Sequence, residues 1–96
     1  MTHYVVVQLA PTDEAKLAEY FKVGGDAVKK HGGAPIAGGP NGKVLEDNGG
    51  GTPAKVLLSF PDGDAAQAWI DDPELAEVHA LRRTGAKTTI TLLPPM

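Results

Sequence analysis

The stretch from Leu57 to Arg83, LLSFPDGDAAQAWIDDPELAEVHALRR, is where the fold is most legible in this chain. Leu57 to Phe60 reads as a buried strand, ended by Pro61. Asp64 to Ile70 is an alanine-rich helix carrying the only tryptophan, Trp69. Asp71-Asp72-Pro73 then breaks the helix. Asp72 can accept hydrogen bonds from free amides, and Pro73 suits a first helical position, where its missing N–H is no loss. A second helix over Pro73 to Arg83 follows, holding His79, Arg82 and Arg83.

Upstream, Tyr4 to Leu9 is apolar and β-branched on both sides, the pattern of a covered strand. Pro11 to Glu14 opens a helix, with Thr12 or Asp13 as cap and acidic residues at the positive end of the dipole. Leu17, Phe21, Gly24 and Val28 are spaced as one apolar stripe. Gly24-Gly25 either weakens that helix or marks a close approach by a neighbouring backbone. Gly32-Gly33 closes it, since glycine takes a left-handed cap without penalty. Ala34 to Ala37 reads as a short strand, and Gly38 to Gly42 as a turn with a hairpin Asn-Gly. Lys43 to Glu46 reads as the returning strand, and Asp47 to Pro53 as a flexible loop. Ala54 to Phe60 is the third main strand, and Lys87 to Leu93 the last, stopped by Pro94-Pro95.

The resulting order, βαββαβ, predicts an α+β fold over residues 1–96 as one domain. It is a ferredoxin-like sandwich, an antiparallel sheet with helices on one face. Val5, Val6, Val7, Val56, Leu57 and Leu58 supply apolar side chains to both faces of the sheet. The uncovered face therefore calls for a partner, and a second copy about a two-fold axis is the simplest.

Composition narrows the function classes. The 96 residues carry a formal net charge of −3, which argues against nucleic acid, whose binding needs dense lysine and arginine. The absence of cysteine removes disulfides, thiolate catalysis and cysteine metal sites. The apolar N-terminal run is too short for a membrane span and lacks a basic leader, so no membrane partner and a cytoplasmic location are expected. No two histidines fall at i, i+3 or i+4 on one helix, so no metal site is expected. Gly42-Lys43-Val44 lacks the hydroxyl of a phosphate-binding loop.

The chain resembles a known family. Phe60-Pro61, Ala65 and Ala68, Trp69, and Asp72-Pro73-Glu74 before a helix ending Leu81-Arg82 are similar to the family catalogued as domain of unknown function 1330. His31-Gly32-Gly33 and Val44-Leu45-Glu46 fit the same pattern. Departures occur at Ile70 and Leu75, where members usually carry aromatics, and at His31, Ala34 and Asp47. The resemblance implies the dimeric α/β barrel superfamily, a homodimer whose sheets face each other with the helices outside. It implies no activity. Within that superfamily, haem-degrading monooxygenases use Asn, Trp and His at places similar to Gln8, Trp69 and His79. The related antibiotic-biosynthesis monooxygenases often need no cofactor.

Two readings follow, and whether the chain is an enzyme stays open between them. In the first, a small homodimer binds a small organic ligand in a helix–sheet cleft. In the second, a cofactor-free monooxygenase-like enzyme uses His79 to move a proton, Arg82 to hold an anionic group and Trp69 to line the pocket. His79 and Arg82 are thus the catalytic candidates. Trp69, Gln8, Tyr20, Arg83 and Glu46 are the ligand-binding candidates. No cofactor is expected; a haem-dependent variant would use His79 as axial ligand. Each candidate also has a plainer role. Trp69 packs its helix on the sheet, a half-exposed His79 complements a helix C-terminus, and Arg82 and Arg83 pair with acids of the same protein or its dimer mate, such as Glu46 or Asp47.

Overall fold

The computed structural model describes residues 1–39, 42–49 and 54–96. The elements follow in the order β1 (His3–Pro11), α1 (Glu14–Lys30), β2 (Ala34–Gly39), β3 (Ala54–Phe60), α2 (Gly63–Asp71), a 3-10 turn (Pro73–Leu75), α3 (Ala76–Gly85) and β4 (Ala86–Leu93). The strands form one antiparallel sheet in the order β2-β3-β1-β4. This is the α+β sandwich expected from the element order. The shortest principal extent is only 17 Å, the thickness of one sheet and one helix layer.

Period-two alternation divides the sheet's side chains. Val5, Val7 and Leu9 of β1 face the helices and are buried, together with Leu58 and Phe60 of β3. Val7 stands between Val56 and Ile90 on the neighbouring strands. The intervening residues face the other way. Val6 lies between Leu57 and Thr91, Tyr4 between Ser59 and Leu93, and Gln8 between Lys55 and Thr89. The open face is therefore mixed, with Tyr4, Val6, Leu57 and Leu93 as its apolar members.

Each helix is delimited by local chemistry. The Asp13 carboxylate accepts from the Lys16 amide and starts α1. Gly32 ends it at φ +76°, with its amide donating to Lys29 and the Gly33 amide to Val28. That pair of bonds is a Schellman closure, and it needs glycine at the left-handed residue. Asp62 caps α2 through the Ala65 amide. Asp72 caps the 3-10 turn through the Glu74 amide. The far end of α3 is tied to the start of α1, where the Gly85 carbonyl accepts from Thr12 and Asp13. A Cβ on Gly85 would lie 2.7 Å from the Leu17 nitrogen, so this contact admits no side chain.

Three expectations are corrected. Lys43 to Glu46 forms no strand, and Val44 and Leu45 are exposed. β2 pairs instead with Ala54–Phe60, which alternates over seven residues and buries Leu58 and Phe60, whereas Val44-Leu45 has no alternation to bury. (Pro40, Asn41 and the loop residues 50–53 lie outside the described residues.) The helix expected over Pro73–Arg83 opens as a 3-10 turn and becomes α-helical only at Ala76, then runs on to Gly85. In α1 the buried stripe is Leu17, Tyr20, Gly24, Ala27 and Val28, with Tyr20 in place of Phe21, which is half exposed. Gly24 does serve a close approach, but the group that approaches is the Tyr20 ring of the same helix: a Cβ there would lie 3.0 Å from it.

Candidate functional site

The 3-10 turn and α3 together carry Leu75, His79 and Arg82 toward the core, at helical spacings that share one face. His79 and Arg82 are each only 2% exposed, the buried polar pair of this structure. Arg83, one position on, points to solvent.

The reason for burying His79 lies in α2. The carbonyls of a helix's last turn lack intrahelical donors. For Trp69 the residue four positions on is Pro73, which has no N–H to give. His79 Nε2 lies 2.8 Å from the Trp69 carbonyl oxygen and donates to it, supplying the missing hydrogen bond. That bond places the proton on Nε2 and leaves a lone pair on Nδ1. Arg82 Nη1 donates to that lone pair at 2.7 Å. His79 is thus a neutral imidazole in one tautomer, with both nitrogens engaged. Burial pushes its pKa below the ordinary 6.5, and the Arg82 and Arg83 cations push the same way, against the bond to Trp69.

Trp69 is 1% exposed and joins the layers. Its ring packs on Phe60 with centroids 5.5 Å apart and stands edge-on to the His79 ring, also at 5.5 Å. The Arg82 guanidinium lies 5.9 Å from the centroids of both Tyr20 and Trp69, at the outer limit of cation–π attraction. No carboxylate among the described residues pairs with Arg82, and its Nε has no partner. Burial lowers the Arg82 pKa, while the Tyr20 phenol beside it raises it again. Pairing of Arg82 with Glu46 or Asp47 of its own chain, expected from the sequence, does not occur. Both acids are exposed in the 42–49 segment, and Arg82 is turned inward onto His79.

The structure thus brings His79, Arg82, Trp69 and Tyr20 together. It places Gln8, Arg83 and Glu46 elsewhere. Gln8 is on the open face of β1, across the sheet from Trp69. Glu46 borders a cleft of about 690 Å³ beside β2 and β3, with Lys43, Lys55 and Leu57. The haem reading does not fit this geometry, since His79 has no lone pair left for an iron. Among the described residues no three His, Asp or Glu side chains gather as a metal site.

Two adjoining clefts lie near the buried pair. One, of about 180 Å³, opens between α1 and the sheet and is walled by Val7, Leu9, Tyr20, Phe21, Val28 and Leu58, with Gly24 and Gly25. It shares Phe21, Pro35 and Val56 with a more open cleft of about 430 Å³ that reaches Ile36. Tyr20 is the common wall between the inner cleft and Arg82.

A second polar cluster, which the sequence reading missed, sits on the surface at the same helix break. Asp72 Oδ2 receives Lys30 Nζ and His31 Nε2, each at 2.8 Å. Lys30 also reaches Glu74 at 2.6 Å. The hydrogen bonds from Lys30, His31 and the Glu74 amide hold the Asp72 carboxyl well below the usual carboxylate range. The same acids raise the Lys30 pKa. The signal was present in Asp72 as a cap and His31 at a helix end, but nothing local showed that the two ends meet.

A family model described as domain of unknown function (DUF1330) matches residues 2–96. The chain belongs to that family. Solved structures resemble this DUF1330 chain over nearly its whole length. A dimeric ferredoxin-like protein of unknown function from Jannaschia sp. CCS1 is 18% identical with a TM-score of 0.77, covering 99% of this chain and 100% of that one. A protein of unknown function from Rhodopseudomonas palustris is 19% identical with a TM-score of 0.72, covering 99% and 82%. SnoaB, a cofactor-independent oxygenase from Streptomyces nogalater, is 12% identical with a TM-score of 0.63, covering 99% and 91%. At these identities the likeness establishes the ferredoxin-like fold. A search among curated proteins finds no match. Among the described residues no helix is long and apolar enough to cross a membrane.

Proposed function

We propose that this DUF1330 protein is a small homodimer that binds a small organic molecule in the cleft between α1 and the sheet. The observation that carries the reading is the apolar inner cleft of about 180 Å³, whose one polar wall among the described residues, Tyr20, is backed by a buried cation. Ligand sites are typically of this kind, mostly apolar with few polar groups. Gly24 lets the Tyr20 ring lie close against the helix, and Gly25 leaves the helix side of the cleft bare.

Gly25 supplies the test. Gly25 lines the cleft and a Cβ there meets nothing within 4 Å, so Gly25→Leu adds bulk at the cleft wall without disturbing the core. Native mass spectrometry of the purified protein should show a retained small molecule that Gly25→Leu loses. A bare chain mass in both proteins would overturn the reading. The homodimer is supported by the dimeric Jannaschia structure and by Tyr4, Val6, Leu57 and Leu93 on the uncovered sheet face. Light scattering at micromolar concentration should give twice the 10.0 kDa chain mass, and a single-chain mass would remove it.

The likeness to SnoaB favours one second reading, a cofactor-independent oxygenase acting on the bound molecule. In it His79 takes a proton, Arg82 holds an anionic group and Trp69 lines the pocket. It requires Arg82 to release His79 Nδ1, because that lone pair is engaged in the resting state. Oxygen uptake by the protein with its co-purified ligand, abolished in His79→Phe, would support it. Uptake unchanged in that variant would exclude His79.

A further inference from the structure

Arg82 is a buried cation without a counter-charge. It is 2% exposed, it finds no carboxylate among the described residues, and its Nε is unpartnered. Removing an unpaired charge from water costs several kcal/mol even after relaxation. The bond to a neutral imidazole, the neighbouring Tyr20 phenol and two aromatic faces at the limit of cation–π range are all neutral and offset this only in part. Among the described residues, none that walls the cleft on the far side of Tyr20 is charged. The electrostatic character of that cleft is therefore set by the cation behind the phenol, in surroundings where weak dielectric screening strengthens the field.

We propose that the molecule held in the α1–sheet cleft is an organic monoanion, an alkyl or aryl carboxylate. Its apolar body fills the cleft, and its charge is matched by Arg82 across Tyr20. The inference rests on the binding reading above and names its ligand class. An amine is disfavoured by the same field. A phosphate is disfavoured because it needs several donors converging on it, and among the described residues Tyr20 is the only side-chain donor on the cleft wall. An alkyl tail longer than the inner cleft continues outward past Phe21 and Pro35 toward Ile36.

Three probes with the same alkyl body separate the possibilities: octanoate, 1-octanol and octylamine at pH 7. Amide chemical shifts of Gly24 and Gly25 report binding in the cleft, and Trp69 fluorescence reports the Arg82 side. Octanoate should bind about tenfold or more tighter than octanol, with octylamine weakest. Arg82→Met should bring octanoate and octanol to within about twofold. The order of the three probes in the wild-type protein decides the inference even if that variant does not fold. Octanol binding as tightly as octanoate, with shifts at Gly24 and Gly25, overturns the anion preference and leaves the cleft reading intact. No shift at Gly24 or Gly25 with any probe overturns the cleft reading, and this inference with it. An octanoate preference that survives in a folded Arg82→Met protein overturns the assignment to Arg82.

Discussion

Two polar clusters flank the same helix break, and they respond to charge in opposite ways. On the inner side His79 and Arg82 are buried against Trp69 and Tyr20. On the outer side Lys30 and His31 converge on Asp72, with Glu74 also bound to Lys30. Both exist because Asp72-Pro73 interrupts the helical ladder. Pro73 leaves the Trp69 carbonyl without a donor, and Asp72 turns a carboxylate back to cap the next turn. The outer cluster pairs opposite charges near water, so each partner favours the ionised form of the other. The inner cluster holds one cation and a neutral ring away from water, so burial works against charge in both. The outer cluster joins α1 to the break. The inner one leaves a charge unmatched, which is the property expected of a site rather than of a staple.

Five perturbations would break or sharpen that contrast. The largest effect is expected from Trp69→Ala, which removes the side chain shared by both layers. It should cost about 3–5 kcal/mol, read as a lower urea midpoint at unchanged slope. Next is His79→Leu, which strands both the Trp69 carbonyl and the Arg82 guanidinium and should cost about 2–4 kcal/mol. Arg82→Met should cost less than His79→Leu, because it removes the buried cation and strands only one neutral ring nitrogen. The reverse order would show that the cation is needed for folding rather than for a ligand.

A smaller effect is expected from pH. Because the folded pKa of His79 lies below its ordinary 6.5, the unfolded chain takes up the proton first. Its contribution is present above pH 6.5 and is lost as pH falls through the folded value. The Asp72 contribution is present above its ordinary 3.8 and is lost only as pH falls further, through its depressed folded value. Urea midpoints taken between pH 7.5 and 5 should therefore fall in the wild-type protein, and the His79 part of that fall should vanish in His79→Leu. An identical pH profile in that variant would show that His79 binds its proton equally well in the folded and unfolded chain. The smallest effect is Asp72→Ala, a lower midpoint than wild type but higher than His79→Leu. Its deficit should shrink in about 1 M salt, where exposed ion pairs are screened. A deficit independent of salt would place its role in the cap alone.

The fold was largely legible because its signals are local. Alternation in Tyr4–Leu9 and Ala54–Phe60, caps at Asp13 and Asp72, and Gly32-Gly33 after α1 each act within a few residues. Lys43–Glu46 was misread because a turn signal before two apolar residues does not show which strand the edge will pair with. Phe21 was placed in the core ahead of Tyr20 because both lie within one residue of the stripe, and only packing separates them. At the site, His79, Arg82, Tyr20 and Trp69 were nominated from residue chemistry, as were Arg83 and Glu46, whereas Gln8 came from the resemblance alone. Side-chain direction distinguishes the two groups. Gln8 is on the other side of a sheet, and Arg83 is a single helical step from the buried face.

The sequence by itself determined the order of elements, the caps, the helix break and the family, because these depend on neighbours a few positions apart. Only the tertiary structure decided where the charges meet. His31 and Asp72 lie 41 residues apart and touch, while Arg82 and its expected acids do not. Those pairings depend on how α1, α2 and α3 stack on one face of the sheet, and side-chain burial on that scale has no short-range signature. The segment from Leu57 to Arg83 thus specified its own break at Pro73. The packing of α3 against α2 and α1 turned that break into a buried imidazole and an unmatched cation.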